Sequence, residues 1–483
     1  MSSSTALIWF RRDLRLTGNP ALQAALDRHD RIVPVYIDDA IAEAPWAPGA
    51  ASRWWLHHSL AALADDLAAR GAPLILRRGP SLATLRDLLR DTGATAVYWN
   101  RLYEPAVIAR DQTLKSALRE DGIDVQSFNG VLWREPWEIK TGGGEPYRVF
   151  TPFWRNLSTQ LPEGPIHAAP SQLAGIGRSL ESLPLAALEL LPRIAWDENF
   201  YPHWQPGEAG ALATVSRFVE GAMAGYHTRR DLPAAEACSR LSPHLHFGEI
   251  APAQIRAAVQ RVLGGNARLE GDAAHFLREV GWREFGHHLL FHFPTTPDTP
   301  LYERYAAFPW RAPQEYASDL RAWQRGLTGF PIVDAGMRQL WSSGWMHNRV
   351  RMIVASLLTK NLLIPWQEGA RWFWDTLVDA SLANNTLGWQ WAAGCGADAA
   401  PYFRIFNPIL QSQKFDPDGV YLRRWVPELA QLPNEAIHAP WLAKPAVLAS
   451  AGLVLDRDYP APIVDLPSSR DRALAAYQVL KAG

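Results

Sequence analysis

Cysteine is nearly absent: Cys238 and Cys395 are the only two in 483 residues. Two thiols cannot build a disulfide scaffold or a cysteine-based zinc site, and their scarcity points to a reducing, cytoplasmic setting. No apolar run is long enough to cross a bilayer as a helix. The opening MSSSTALIWFRRDLRL has a strand-length apolar stretch followed by charges, unlike a secretory leader. Charge of neither sign is in excess: 48 Lys and Arg against 49 Asp and Glu leave a net charge of −1, so no whole-molecule field attracts nucleic acid. The first half also lacks G-x-G-x-x-G and the P-loop pattern, which argues against a conventional dinucleotide or nucleoside triphosphate site there. Acidic residues are missing locally between Asp334 and Glu368, where Arg338, Arg349, Arg351 and Lys360 occur with His347. That stretch reads either as a basic face for a phosphate backbone or as an Arg-rich helix with solvated charges.

With 48% hydrophobic and 20% charged residues, the chain is globular and long enough for two or three domains. Short apolar runs at 5–10, 31–37, 73–77, 95–99 and 123–127 alternate with amphipathic stretches at 19–29, 52–70, 81–91 and 105–120. The alternation predicts a parallel sheet with helices on both faces, spanning 1–130. Asn19–Pro20 fits a helix start, and Gly71 and Gly93 fit helix stops. Prolines and the triple glycine at 142–144 mark 131–204 as an interdomain connector. From 205 to 483 helical periodicity takes over, at 208–224, 252–263, 271–292, 331–343, 346–359 and 368–378, with a last helix at 468–481. That predicts an all-α domain.

What the chain has in excess is tryptophan, 22 residues. Indole gives a flat stacking face, one N–H donor and easy oxidation, which suits contact with a ring system or movement of electrons. The densest segment is DASLANNTLGWQWAAGCGADAAPYFRIFNP, in which Trp389 and Trp391 point in roughly opposite directions while Asp379, Asn384 and Asn385 bring polar atoms to the same place. A Trp-rich core helix is the plain alternative.

Four other segments carry chemistry. On 275–293, Phe276, Glu279 and Arg283 fall at i, i+3 and i+7 with Trp282 beside them, against the plainer reading of a solvated Glu–Arg pair. His275, His287, His288 and His292 have no carboxylate in a zincin spacing, so no metal is expected. GYHTRRDLPAAEACSRLSPHLHFGEI sets Ser239 and Ser242 before Pro243 with Tyr226, Arg229 and Arg230 upstream, a set suited to a pyrophosphate. WMHNRVRMIVAS puts Asn348, Arg351 and Met352 on one stripe beside Arg349; an amide there matches a pyrimidine's imide edge.

From LIWFRRDLRL at 7–16 to YPAPIVDLP at 459–467, through SRLSPHLHFGEI, WREF, TGFPIVDAGMRQL and WMHNRVRM, the chain resembles the DNA photolyase/cryptochrome family of flavoproteins. The resemblance implies a doubly wound, Rossmann-like antenna-binding domain followed by a large helical domain holding non-covalent FAD. Within it, the cofactor-binding residues would be Tyr226, Cys238, Ser239, Arg240, Leu241, Ser242, Phe276, Arg283, Arg351, Asp379, Ala380, Ser381 and Asn385. Asn385 would sit near flavin N5, with Arg351 and Asp379 paired beside the ring. Two positions depart from the family: Cys238 where threonine is usual and Ser381 where many relatives have aspartate.

The resemblance further implies an electron route through Trp389, Trp366 and Trp310, with Trp323 competing for the last position. Damaged DNA would meet Arg230, Glu279, Trp282, Asn348, Arg349, Met352, Trp391, Arg404, Gln411 and Lys414. The implied activity is light-dependent repair of cyclobutane pyrimidine dimers by an electron from reduced FAD to a flipped-out dimer. Relatives that repair (6-4) photoproducts carry histidine at the positions of Asn348 and Met352. A cryptochrome-type photoreceptor is the alternative, and plant receptors place aspartate where this chain has Asn385. A pocket between the two domains is expected, with contacts around 36–55 and 99–108, in which folate, deazaflavin or no second chromophore are all open; the expected state is a monomer whose partner is UV-damaged DNA.

Overall fold

The computed structural model describes residues 4–264, 266–399 and 403–482. Its first layer is a five-stranded parallel sheet of β1 (Thr5–Phe10), β2 (Arg31–Asp38), β3 (Ile75–Arg78), β4 (Ala96–Asn100) and β5 (Asp124–Phe128), in the order β3-β2-β1-β4-β5. Helices α1 (Pro20–Leu26), α2 (Ala50–Ala69), α3 (Ser81–Thr92) and α4 (Pro105–Glu120) cover both faces. The central strand shows why its residues are all apolar. Ala6, Ile8 and Phe10 pack toward α1 and α2, while Leu7 and Trp9 pack toward α3 and α4. Asn19 caps α1 through its Oδ1, which accepts the Leu22 N–H at 3.1 Å. Gly93 ends α3 in the left-handed region at φ +70°.

The connector is less loose than its composition predicts. It contains α5 (Phe150–Ser158), whose Phe150, Phe153 and Leu157 join the helical core, while Leu173, Leu188 and Leu190 join the core of the α/β domain. Beyond it run α6 (Glu208–Arg217), α7 (Tyr226–Arg229), α8 (Ser242–His246), α9 (Pro252–Leu263) and α10 (Glu270–His292). The C-terminal part adds α11 (Pro313–Arg325), α12 (Pro331–Ser343), α13 (Asn348–Ser356), α14 (Trp366–Thr376), α15 (Leu382–Ala393) and α16 (Pro408–Phe415), and the last long helix is Leu466–Ala482. Two expected helices are not regular to their ends. The 208–224 stretch becomes a π-turn at Phe218–Ala222, and the 346–359 stretch becomes one at Leu357–Asn361. A π-turn rotates the side chains that follow it relative to those before, which apolar periodicity alone does not register.

The α/β and helical parts meet along α2 and the loop after β1. Trp55 donates from Nε1 to Glu249 at 2.9 Å, and Ala50 donates its N–H to Asp375 at 2.9 Å. The Leu14 N–H reaches the Phe247 carbonyl at 3.0 Å. Gly248 makes that approach feasible, with φ +65° and a position where a Cβ would lie 2.2 Å from the Arg12 carbonyl oxygen. Gly248→Ala is expected to cost about 2 kcal/mol or more, combining left-handed strain with a backbone clash, and to lower the thermal midpoint. An unchanged melting curve would contradict this view of the interface.

Candidate functional site

Helices α10, α13 and α15 and the α7–α8 loop enclose a cavity of about 730 Å³. From α10 come Phe276, Glu279, Trp282 and Arg283; the i, i+3, i+7 set does share one wall. Trp282 stacks on Phe150 at 3.7 Å between ring centres, so its plane is set by the connector helix. Arg283 donates to the carbonyls of Val131 at 2.8 Å and Leu245 at 3.3 Å, pinning two loops at the cavity's edge. Glu279 is not engaged with Arg283, as an isolated helix would arrange it. It forms an ion pair with Arg230, whose guanidinium also lies 5.4 Å from the centre of the Tyr226 ring. Burial opposes the charge on Arg230, but the hydrogen bond and field of Glu279 outweigh it and hold its pKa above that of a free guanidinium.

Opposite stand Asn348, Arg349, Arg351 and Met352 of α13. His347 caps this helix, its Nδ1 accepting the Arg349 N–H at 3.2 Å. Burial pushes the His347 pKa down to about 4, so the ring is neutral and remains an acceptor at neutral pH. Arg351 binds Asp379 Oδ2 at 2.9 Å, and the Ser242 hydroxyl donates to that same oxygen at 2.6 Å. Ser242 therefore ties the hydroxyl-rich loop to the charged edge, where the sequence reading has it free for a phosphate. From α15 and its approach, Ala380, Ser381, Asn384, Asn385, Trp389 and Trp391 line the same cavity. Trp389 is buried and rests on α14, where a Cβ at Gly369 would fall 2.0 Å from its ring. Trp391 is half-buried.

Several expectations come out differently. Cys238 and Arg240 are not among the lining residues, whereas Tyr226, Ser239 and Leu241 are. The Cys238 thiol turns to the Arg230 carbonyl at 3.9 Å, and burial pushes its pKa up to about 11. Arg240, at φ +53°, lays its guanidinium over Trp345 at 4.8 Å and Trp204 at 5.7 Å, because stacking on indole rewards a weakly hydrated cation. The acid-free stretch is not an open basic face either. Arg338 pairs with Glu428 at 2.7 Å, Arg349 with Asp231 at 2.6 Å and Arg351 with Asp379, all carboxylates remote in sequence, while Lys360 is buried. Arg404 lines the cavity mouth and is exposed; Lys414 is exposed and Gln411 half-exposed on α16, outside the lining. His287 and His288 face the carbonyls of Arg283 and Pro136, and His292 faces Pro136 as well.

Of the indoles beyond the cavity, Trp323 is in edge contact with Trp389 at 6.1 Å, and Phe373 lies 5.0 Å from Trp389. Trp366 is buried on α14 one turn before Gly369, and Trp310 is half-buried against Phe308 at 4.4 Å. Sequence reasoning missed His246 and Asp398 among the lining residues. His246 is pushed well below the usual histidine pKa by burial and by the charges of Arg12 and Arg283, which come from far along the chain. Asp398 has φ +57°, which no spacing rule announces.

The cavity has a hydroxyl-lined neck, a carboxylate–guanidinium edge, two adjacent amides and indole walls. A Cβ at Gly388, which borders it, would meet nothing, so the helix backbone is open to a bulky occupant. This donor set fits a large flat heteroaromatic cofactor with a phosphate arm. Residues 276–479 match the family model described as the FAD binding domain of DNA photolyase, and residues 6–172 match the one described as DNA photolyase. The chain belongs to the DNA photolyase family. It is 49% identical to the deoxyribodipyrimidine photo-lyase of Agrobacterium fabrum, over 100% of this chain and 99% of that one. It is also 40% identical to Cryptochrome-2 of Arabidopsis thaliana, over 96% of this chain and 77% of that protein. The crystal structure of a bacterial class III photolyase from Agrobacterium tumefaciens superposes with a TM-score of 0.94 at 48% identity, covering 100% of this chain and 99% of the other. Among the described residues no helix is long and apolar enough to cross a membrane.

Arg349 lies at the cavity beside its carboxylate partner Asp231, and the phosphate contact expected of it from the sequence can be tested. Arg349→Ala is expected to weaken binding to every damaged sequence alike and to flatten the salt dependence by at most about one unit. Asp231→Asn, which frees the same guanidinium, should tighten binding. Fluorescence anisotropy across a salt series reads both, and unchanged slopes in both variants would remove Arg349 from the contact set.

Proposed function

We propose that this protein repairs cyclobutane pyrimidine dimers in UV-damaged DNA under near-UV or blue light, using non-covalent FAD. The observation that carries the reading is that one cavity is lined both by Arg351, Asp379 and Asn385 and by Glu279, Trp282, Asn348, Met352 and Trp391. Reduced FAD, when bound and photoexcited, supplies the electron that opens the dimer. Tyr226, Ser239 and the backbone of the α7–α8 loop would hold its phosphates, and Arg351, Asp379 and Asn385 would border its ring. Photolyases are a known case of base flipping, and here the extruded dimer would lie between Trp282 and Trp391. Asn348 and Glu279 would hydrogen-bond the bases while Met352 packs on them. Arg230, the partner of Glu279, keeps positive charge beside the spot where the dimer becomes anionic. Arg349, Arg404, Gln411 and Lys414 would position the strand without reading its sequence.

A second, light-harvesting chromophore of folate or deazaflavin type would sit at the carboxyl ends of the strands, where Arg12 pairs with Glu104 at 2.7 Å. The protein would act as a monomer. Heat-denatured protein should release FAD, and fully reduced protein should remove dimers from an irradiated oligonucleotide in the light. The similarity to Cryptochrome-2 favours a second reading, a blue-light photoreceptor. Protein that binds and photoreduces FAD yet removes no dimers from single- or double-stranded DNA would decide for that reading.

A further inference from the structure

Lys360 is a lysine in an apolar place. It is 1% exposed, and among the described residues it forms no salt bridge. The π-turn Leu357–Asn361 carries its side chain inward, beneath the wall of the cavity. There its ammonium donates to the carbonyl of Ala393 at 2.6 Å, an orphan acceptor at the C-terminal end of α15. The same nitrogen stands 3.4 Å from the centre of the Phe403 ring. Four residues back, the Ser356 hydroxyl accepts the Phe406 N–H at 3.0 Å. One short stretch of chain thus fastens two things: the end of the helix that presents Trp391, and the segment that presents Arg404. Lys360, Ser356, Trp391 and Arg404 also line one small crevice beside Met352.

We propose that Lys360 is a positioning residue for the repair reaction, a buried cationic clasp that sets Trp391 and Arg404 at the spacing a flipped pyrimidine dimer requires. The proposal rests on the dimer-repair reading above. A clasp made of charge has a cost in stability that an apolar side chain of equal length would avoid, so stability alone does not account for it. Burial pushes the Lys360 pKa down to about 7. The charged groups that face it or its turn are few. Cys395 is held neutral, its pKa pushed up to about 12 by burial; Arg404 lies across the crevice; and Arg472 of the last helix donates to the Asn361 carbonyl at 2.7 Å. Between pH 7 and the ordinary lysine value of 10.5 the unfolded chain binds the proton and the folded one does not. Folding stability contributed by this group therefore rises with pH over that range, while the clasp, deprived of its charge, loosens. The two effects run in opposite directions.

The test compares Lys360→Met and Lys360→Arg with the unaltered protein, using a labelled single strand bearing one thymine dimer and the same strand undamaged. Lys360→Met should keep its FAD and melt no lower, yet bind the dimer strand about fivefold more weakly. Its affinity for the undamaged strand, which meets Arg404 but not the Trp391 wall, should fall by less. Hydrogen exchange at the Phe406 amide should quicken. Lys360→Arg should restore dimer affinity and remove any weakening between about pH 6 and 8.5, because guanidinium does not titrate there. Equal dimer affinity in Lys360→Met and the unaltered protein overturns the proposal. Should Lys360→Met not fold, the pH profile of the unaltered protein decides: dimer affinity that does not fall through pH 7, relative to the undamaged strand, overturns it equally. A failure of the unaltered protein to bind or repair dimers at any pH is a different result, and sinks the repair reading itself.

Discussion

Trp389→Phe is expected to abolish light-driven reduction of oxidised FAD while leaving repair by chemically reduced protein nearly intact. Phenylalanine fills most of the same space but is far harder to oxidise, so it cannot pass an electron hole outward. The fold should tolerate the change, since Trp389 meets Gly369 and Phe373 through its ring and the smaller ring relieves rather than creates crowding. Bleaching of the oxidised flavin band under blue light, with an external electron donor present, reads the effect. Equal bleaching in variant and unaltered protein would refute the route. Trp366→Phe and Trp323→Phe then separate the two continuations, because Trp323 touches Trp389 edge-on while Trp366 lies one helical turn before Gly369 on α14.

Asn348→His should abolish dimer repair without creating (6-4) repair. The amide offers a donor and an acceptor side by side, as an imide edge requires, whereas the two ring nitrogens of a neutral imidazole point in divergent directions and cannot both meet one edge. Asn348 is exposed at the first turn of α13, so the change should leave the fold and FAD content as they are. Glu279→Ala should act more gradually. It removes a charged hydrogen-bonding group worth about 1.5–3 kcal/mol, which corresponds to a loss of tenfold or more in repair per photon, with binding only moderately weaker. It also leaves Arg230 without its carboxylate, so Glu279→Gln is the control that keeps the hydrogen bond and drops the charge. Dimer loss from irradiated oligonucleotide, counted per absorbed photon, distinguishes these outcomes. Repair by Asn348→His at the unaltered rate would take Asn348 out of the substrate site.

The sequence by itself determined the two-part architecture. Short apolar runs mark every strand of the sheet, buried on both faces, and period-3.6 patterning marks the main helices, because each helix must bury one face and only certain spacings present one. It also determined the wall of α10: residues three and seven apart on a helix share a side wherever that helix goes, and Phe276, Glu279 and Arg283 do line one cavity. Tertiary structure decided the partners. Arg349, Arg351 and Arg338 look like free charge along the chain, yet each meets a carboxylate carried in from another element. Glu279 finds Arg230 across α7 instead of Arg283 on its own helix. Cys238 and Arg240 sit inside a motif that points to phosphate, but the backbone turns their side chains elsewhere. Lys360 is a basic residue that the π-turn rotates into the interior. Local periodicity depends only on backbone geometry over a few residues, and so is written in the sequence. Pairing of charges depends on which distant segments arrive within a few ångströms, and that is settled only when the whole core closes.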